Sequence, residues 1–156
     1  MNKNQGGYSV NTIRLLFVAV VILLYGRCVG FDFTLDDDLF IRKNAMVQKG
    51  ISGLADIFTR GSLNESGIQP YRPVTLTSFV IEKVLFNNSK AIAHLINLLL
   101  YMGVLQILYL LIRKLFSDFH YLLSAAIVLL FAAHPLHTEV VASIKGRDEL
   151  LAALFV

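Results

Sequence analysis

Three long apolar stretches and the opening of a fourth run along this chain, with polar residues filling the intervals. Leu15 to Phe31 is 17 residues with Arg27 as its only charge, and Ala91 to Ile112 is 22 residues with none. As a helix the second would reach roughly 33 Å, enough for a bilayer core of about 30 Å. Tyr121 to Ser143 is apolar as far as Ala133 and then carries His134, His137 and Glu139. After Asp148-Glu149 the apolar pattern resumes from Leu150 to Val156. This pattern predicts an all-α, polytopic membrane protein. Residues 1–11 form a cytoplasmic N-terminus, and spans cover 12–31, 91–112 and 121–143. A long outer loop occupies 32–90, a cytoplasmic turn 113–120, an outer turn 144–149, and a truncated fourth span 150–156. Seven residues cannot span a membrane, so the pattern also predicts the N-terminal piece of a longer protein.

Composition reinforces the reading. Hydrophobic residues make up 56% of the chain, charged residues 16%, and the mean hydropathy is +0.64. Soluble domains average roughly 45–50% apolar and about 25% charged. Disorder is excluded by the same numbers, and a disulfide scaffold by the single cysteine, Cys28. The net charge of +3 comes from cations spread singly, with no cluster that would grip nucleic acid. A secretory signal is the rival for the first stretch. Cys28-Val29-Gly30 is a poor cleavage site, however, and the apolar run exceeds the usual signal length, which favours an anchor.

Lys3 and Arg14 before the first span, and Arg113-Lys114 after the second, belong inside by the positive-inside rule. The 32–90 loop and the Lys145-Gly146-Arg147 turn then face outward, periplasmic or lumenal. Within the loop, Ile51, Leu54, Ala55 and Phe58 fall at helical spacing as one apolar stripe. Pro73 can open a second helix, with Phe79, Val80, Ile81 and Val84 on its apolar side. Gly61–Pro70 between them reads as a flexible excursion. Helices tethered so close to two spans would lie along the membrane surface. Asn64-Glu65-Ser66 and Asn87-Asn88-Ser89 match the glycosylation triplet, which is common by chance.

Several polar residues have chemical potential. Asp36-Asp37-Asp38 puts three carboxylates just beyond the first span, where one can act as general base or all can bind a divalent cation. The competing reading is a solvated helix cap begun at Thr34. His134-Pro135-Leu136-His137-Thr138-Glu139 sets two imidazoles and a carboxylate at the outer end of a span, where ionisable groups are expensive. Their spacing matches no standard zinc pattern, so hydrogen bonding to an anionic head group competes with a wet helix end. Arg72 and Arg147 each offer a planar donor fork to a phosphate, Arg147 beside a helix start. His94 and Asn97 share one face at the start of the second span. Together these residues form an outer-face set at head-group depth, suited to a phosphorylated lipid.

Asp32-Phe33-Thr34-Leu35-Asp36-Asp37, Ile41, Asn44, Ile57-Phe58, Tyr71-Arg72-Pro73, Phe79, His94-Leu95-Ile96-Asn97 and the block HPLHTEVVASIKGRDELL from His134 to Leu151 occur in one order. In that order they resemble the opening of the transmembrane and tetratricopeptide-repeat-containing O-mannosyltransferases. The resemblance covers nearly all of the chain after residue 11. It implies a GT-C membrane glycosyltransferase that moves a sugar, typically mannose, from a polyprenyl phosphate to Ser/Thr hydroxyls of a protein on the outer or lumenal face. It implies Asp36 and Asp37 as the catalytic pair, one of them the base, and Arg72, His94, His134, His137, Glu139 and Arg147 as substrate-binding positions. No cofactor is implied for certain; a divalent cation, if one is used, would fall to Asp36, Asp37 and Asp38. This sequence departs from the family in adding Asp38 and in carrying Leu35 where animal members often have a polar residue. A lipid or surface-polymer glycosyltransferase of the same fold is the nearer alternative, and a transporter or non-enzymatic anchor the more distant one.

Overall fold

The structure, a computed structural model, describes residues 10–60, 63–64, 67–68 and 71–156. Lys3 and most of the Gly61–Pro70 excursion, including Glu65 and Ser66 of the first glycosylation triplet, lie outside the described residues. The chain is helical almost throughout. Helix α1 (Val10–Tyr25) continues into a 3-10 turn (Gly26–Gly30). The loop over residues 32–90 holds α2 (Leu35–Asp37), a π turn (Asp38–Arg42), α3 (Ala45–Gln48), a 3-10 turn (Gly50–Gly53), α4 (Leu54–Arg60) and α5 (Pro73–Phe86). Then follow α6 (Lys90–Leu115), α7 (Tyr121–Ala132), α8 (His137–Ala142) and α9 (Arg147–Phe155). Within the excursion, Leu63–Asn64 and Gly67–Ile68 pair as a minimal antiparallel ladder, Leu63 opposite Ile68.

Two helical stretches are long and apolar enough to cross a membrane, Asn11–Gly30 and Lys90–Leu115. Only 28% and 39% of their most apolar windows are buried. The core helix of a soluble protein would be mostly covered; here the uncovered side is Leu15, Leu16, Ile22 and Leu23 on α1 and Leu99, Leu110 and Leu111 on α6. Such a surface is stable against lipid and costly against water, so the chain is an integral membrane protein. The covered side of α1 is a stripe at every fourth position, Ile13, Phe17, Val21 and Tyr25. It packs with Tyr101, Leu105, Tyr109 and Ile112 of α6 and with Ala125, Val128 and Ala132 of α7. Edge-on ring pairs lock the contact, Phe17 with Tyr109 at 5.5 Å and Tyr25 with Tyr101 at 5.6 Å.

The third apolar stretch differs from the single span expected over 121–143. Helix α7 stops at Ala132, 12 residues or roughly 18 Å long, and α8 begins after a turn centred on Pro135. Proline has no N–H for the helical ladder, and it disfavours helical backbone at His134. The carbonyl of Ala132, deprived of its helical donor, accepts instead from two buried hydroxyls, Tyr25 at 2.9 Å and Tyr101 at 3.2 Å. His134 and His137 therefore do not share one helical face, although their rings stay 6.0 Å apart.

A second core is built by the loop residues Ile41, Met46, Val47, Ile57, Leu76, Phe79 and Val80 with Ala93 of α6 and Ile144 of the turn after α8. Local chemistry shapes it. The Asn44 side chain caps α3 by accepting from the N–H groups of Met46 (3.0 Å) and Val47 (3.3 Å). A side chain at Gly53 would strike the Met46 carbonyl. Pro73 opens α5 and left-handed Asn87 closes it. The stripe expected at Ile51, Leu54, Ala55 and Phe58 is inverted: Ile57 is fully buried while Ile51 and Phe58 are exposed. Likewise Phe79 and Val80 of α5 face in, whereas Ile81 and Val84 face out. In a chain beside a membrane, periodic apolar residues do not identify the protein-facing side, because lipid accepts them equally well.

Replacing Tyr25 or Tyr101 alone by Phe leaves the Ala132 carbonyl one partner, so each should cost about 1 kcal/mol. The double variant orphans that buried carbonyl and should lose more than the sum. Thermal unfolding of purified, detergent-solubilised protein checks this; an additive double variant would mean the carbonyl is otherwise satisfied.

Candidate active site

The three adjacent aspartates meet different surroundings. Asp37 is fully buried. Its Oδ2 accepts from the Thr34 N–H (3.0 Å) and hydroxyl (2.8 Å), and its Oδ1 from the Lys145 N–H (2.8 Å) and the Ser143 hydroxyl (3.2 Å). Asp36 is exposed, its carboxylate 2.8 Å from the Lys145 ammonium. Asp38 turns to its own segment and meets Arg42 and Lys43, both at 3.4 Å. The divergence follows from helical geometry: in α2 and the π turn consecutive side chains point roughly 100° apart, so neighbours in sequence cannot share a site. Among the described residues, no three His, Cys, Asp or Glu side chains are grouped to hold a metal ion.

Beside Asp36 lies a cleft of about 300 Å³ lined by Arg72, Glu139, Ser143, Lys145, Asp148 and Glu149, with Leu136, Val140 and Gly146. Its wall carries two cations, Arg72 and Lys145, among three acids, Glu139, Asp148 and Glu149. The Arg72 guanidinium pairs with Asp148, and the Lys145 ammonium pairs with Asp36. Both cations stand on the Phe40 ring, 5.9 Å and 5.7 Å from its centroid. An aromatic between two cations holds them together while leaving their hydrogen-bond donors free to turn outward. Gly146 is required here, because a Cβ would overlap the backbone of Val140.

Other expected residues lie elsewhere. Arg147 has no exposed surface. Its donors meet Glu82, the Ser78 hydroxyl (3.2 Å), the Ala93 carbonyl (2.9 Å) and Asn97 Oδ1 (2.9 Å), and its plane lies 4.7 Å from the Phe79 centroid. Burial pushes the Glu82 carboxyl upward, and the guanidinium pulls it back. His94 is buried with its ring edge-on to Phe31. His137 packs between Phe131 and Tyr101, and exposed His134 accepts the Leu136 N–H at 3.3 Å. None of these four lines the cleft, whereas Arg72 and Glu139 do. Sequence reasoning missed Lys145, Ser143 and Phe40, whose roles arise only when a loop and a turn more than a hundred residues apart meet. Lys145 had a faint signal, its place inside the HPLHTEVVASIKGRDELL block. Glu82 had none, since an acid in an amphipathic stretch reads as a solvated face.

Comparison with known proteins adds independent evidence. The chain is 36% identical over 149 residues to a protein O-mannosyl-transferase of Caenorhabditis elegans, covering 90% of this chain and 21% of the relative. It is 32% identical over 160 residues to the protein O-mannosyl-transferase TMTC4 of Homo sapiens (91% and 21%). To TMTC3 of Homo sapiens it is 31% identical over 145 residues (90% and 15%). The chain thus spans about a fifth or less of the length of these relatives. No family model and no solved structure matches it. With more than 30% identity sustained over nine tenths of its length, the chain belongs to the family of the transmembrane and tetratricopeptide-repeat-containing protein O-mannosyl-transferases.

Proposed function

We propose that this chain forms part of the active site of a membrane glycosyltransferase. The enzyme moves a sugar, mannose by the names of its relatives, from a polyprenyl phosphate to Ser/Thr hydroxyls of a protein on the outer or lumenal face. One observation carries the reading: two adjacent carboxylates are divided between an exposed one at the mouth of a cleft that carries Arg72 and Lys145, and a buried one saturated by protein donors. Asp37 accepts four hydrogen bonds and has no lone pair free for a substrate. Asp36 is therefore the base.

The chemistry then follows in one displacement. Asp36 takes the acceptor hydroxyl proton as that oxygen bonds to the anomeric carbon. The bond from that carbon to the phosphate oxygen breaks, and its electron pair leaves with the phosphate. Phosphate is a stable leaving group, so one base suffices and the anomeric carbon inverts. Arg72 and Lys145, paired on the Phe40 ring, meet the phosphate by exchanging their present partners Asp148 and Asp36 for it. That exchange also frees the Asp36 carboxylate when donor arrives. Glu139 at the cleft wall is placed to bind sugar hydroxyls. The buried or cleft-distant residues His94, His134, His137 and Arg147 shape the site from outside its lining.

In the full-length protein, Asp36→Asn should lower transfer by roughly 10²–10⁴-fold with an unchanged melting temperature. Asp37→Asn should instead lower the melting temperature, because its amide N–H₂ would face donors. Equal loss of activity without destabilisation in both variants would reverse the assignment. Assay uses a polyprenyl-phosphate sugar with peptide and lipid acceptors in parallel, and transfer to lipid alone would move the acceptor class from protein to glycolipid.

Arg72→Gln removes a charge-assisted contact of about 1.5–3 kcal/mol. The donor KM should rise roughly 10- to 100-fold, with the acceptor KM unaffected. An unchanged donor KM would take the phosphate away from this cleft.

A further inference from the structure

The exposed pair Asp36–Lys145 stands between two buried groups, one residue from Asp37 and two from Arg147. Those groups are joined by an unbroken path of hydrogen bonds through the interior. Glu82 on α5 receives the Arg147 guanidinium. Arg147 Nε donates to Asn97 Oδ1 at 2.9 Å, Asn97 Nδ2 donates to the Ser143 carbonyl at 2.9 Å, and the Ser143 hydroxyl donates to Asp37 at 3.2 Å. The amide orientation of Asn97 is forced, because a guanidinium only donates and a carbonyl only accepts. Four elements are tied at once: the first loop, α5, α6 and the turn from α8 into α9. Phe79 lies across one face of the guanidinium, and neither Asp37 nor Arg147 has exposed surface.

A buried guanidinium cannot be left unpaired, since the desolvation of an uncompensated charge is severe. The arrangement therefore has one acceptable geometry rather than several. Hydrophobic packing at the same place would tolerate sliding of α5 against the α8–α9 turn; an ion pair with fixed donors does not. The site itself needs such fixing, because Asp36 and Lys145 are exposed, flexible side chains whose backbone must be held for a base to stay within reach of its substrate.

We propose that Glu82, Arg147 and Asn97 are positioning residues, a buried strut that holds the Asp36–Lys145 pair at the mouth of the cleft from the side opposite the substrate. Its kinetic consequence rests on the glycosyl-transfer reading above; its structural consequence does not. Glu82 touches no part of the cleft, so its contribution is exerted wholly through Arg147.

The experiment uses the full-length protein purified in lipid nanodiscs, with Glu82→Gln as the principal variant. Amide hydrogen exchange over residues 143–147 should accelerate about tenfold or more, because the Lys145 N–H loses the support behind its Asp37 bond, while mid-α6 stays unchanged. Turnover should fall about 10- to 100-fold with the donor KM within about twofold. Glu82→Gln combined with Arg147→Gln removes both buried charges and should regain thermal stability. Turnover that stays low in this double variant supports positioning; turnover that returns with stability reduces the strut to a stability element and overturns the proposal. Unchanged exchange at 143–147 also overturns it, as does acceleration spread evenly over all helices. Should Glu82→Gln fail to fold, Glu82→Asp retracts the carboxylate while keeping its charge, and the same local exchange and kcat effects are expected at smaller size. If the wild-type protein transfers no sugar, the exchange result still decides the strut, and it is the functional reading that fails.

Discussion

The fold is organised around a carboxylate that has lost all contact with water. Asp37 sits where the first long loop meets the turn between α8 and α9, and donors from both segments converge on its two oxygens. A buried carboxylate is tolerable only when such donors are in place, so loop and turn must dock before either is stable. A loop just past the first span is thereby fastened to a turn a hundred residues further on. The cleft exists because of that docking: Arg72 and the Phe40 ring beneath it come from the loop, Ser143 and Lys145 from the turn, and Asp148 from the start of α9.

Two kinds of packing divide the molecule. In the spans, contact is made by one narrow stripe on α1 and the aromatic pairs of α6, with the rest of each helix left for lipid. Around the loop and the α8–α9 turn the packing is polar and directional. Pro135 marks the change: it ends α7, and the carbonyl it strands is taken up by tyrosines from the neighbouring spans. The break in the helix supplies the geometry of the site, because α8 can leave the line of α7 and carry Glu139 and Ser143 to the cleft.

Much of this was legible in the residues. Uninterrupted apolar runs gave the two long helices, since a run of that length has few other fates. Pro73 announced a helix start, whereas Pro135, read inside a single span over 121–143, marks the place where α7 ends and the chain turns into α8. The acidic triplet and the HPLHTEVVASIKGRDELL block, singled out separately, meet in the fold, where Asp36 and Asp37 take up Ser143 and Lys145. Reading which side of each loop helix faced the protein failed at Ile57 and at Ile81, because the rule that apolar means inward presumes water outside. Reading Arg147 as a phosphate contact failed to foresee its burial, since nothing local distinguishes an arginine bound for solvent from one bound for an internal carboxylate.

The sequence by itself determined the class of molecule and its two long apolar helices, and it singled out the acidic triplet and the His134–Leu151 block that fold against each other. These depend on composition and local spacing, which a linear chain carries in full. Only the tertiary structure decided which aspartate is exposed, which cations meet on the Phe40 ring, and that Glu82 stands behind Arg147. Those distinctions concern pairs separated by 65 to 109 positions, and burial decides them. Adjacent residues with identical side chains, Asp36 and Asp37, are alike in the sequence; the partners that folding brings to each make one accessible and the other structural.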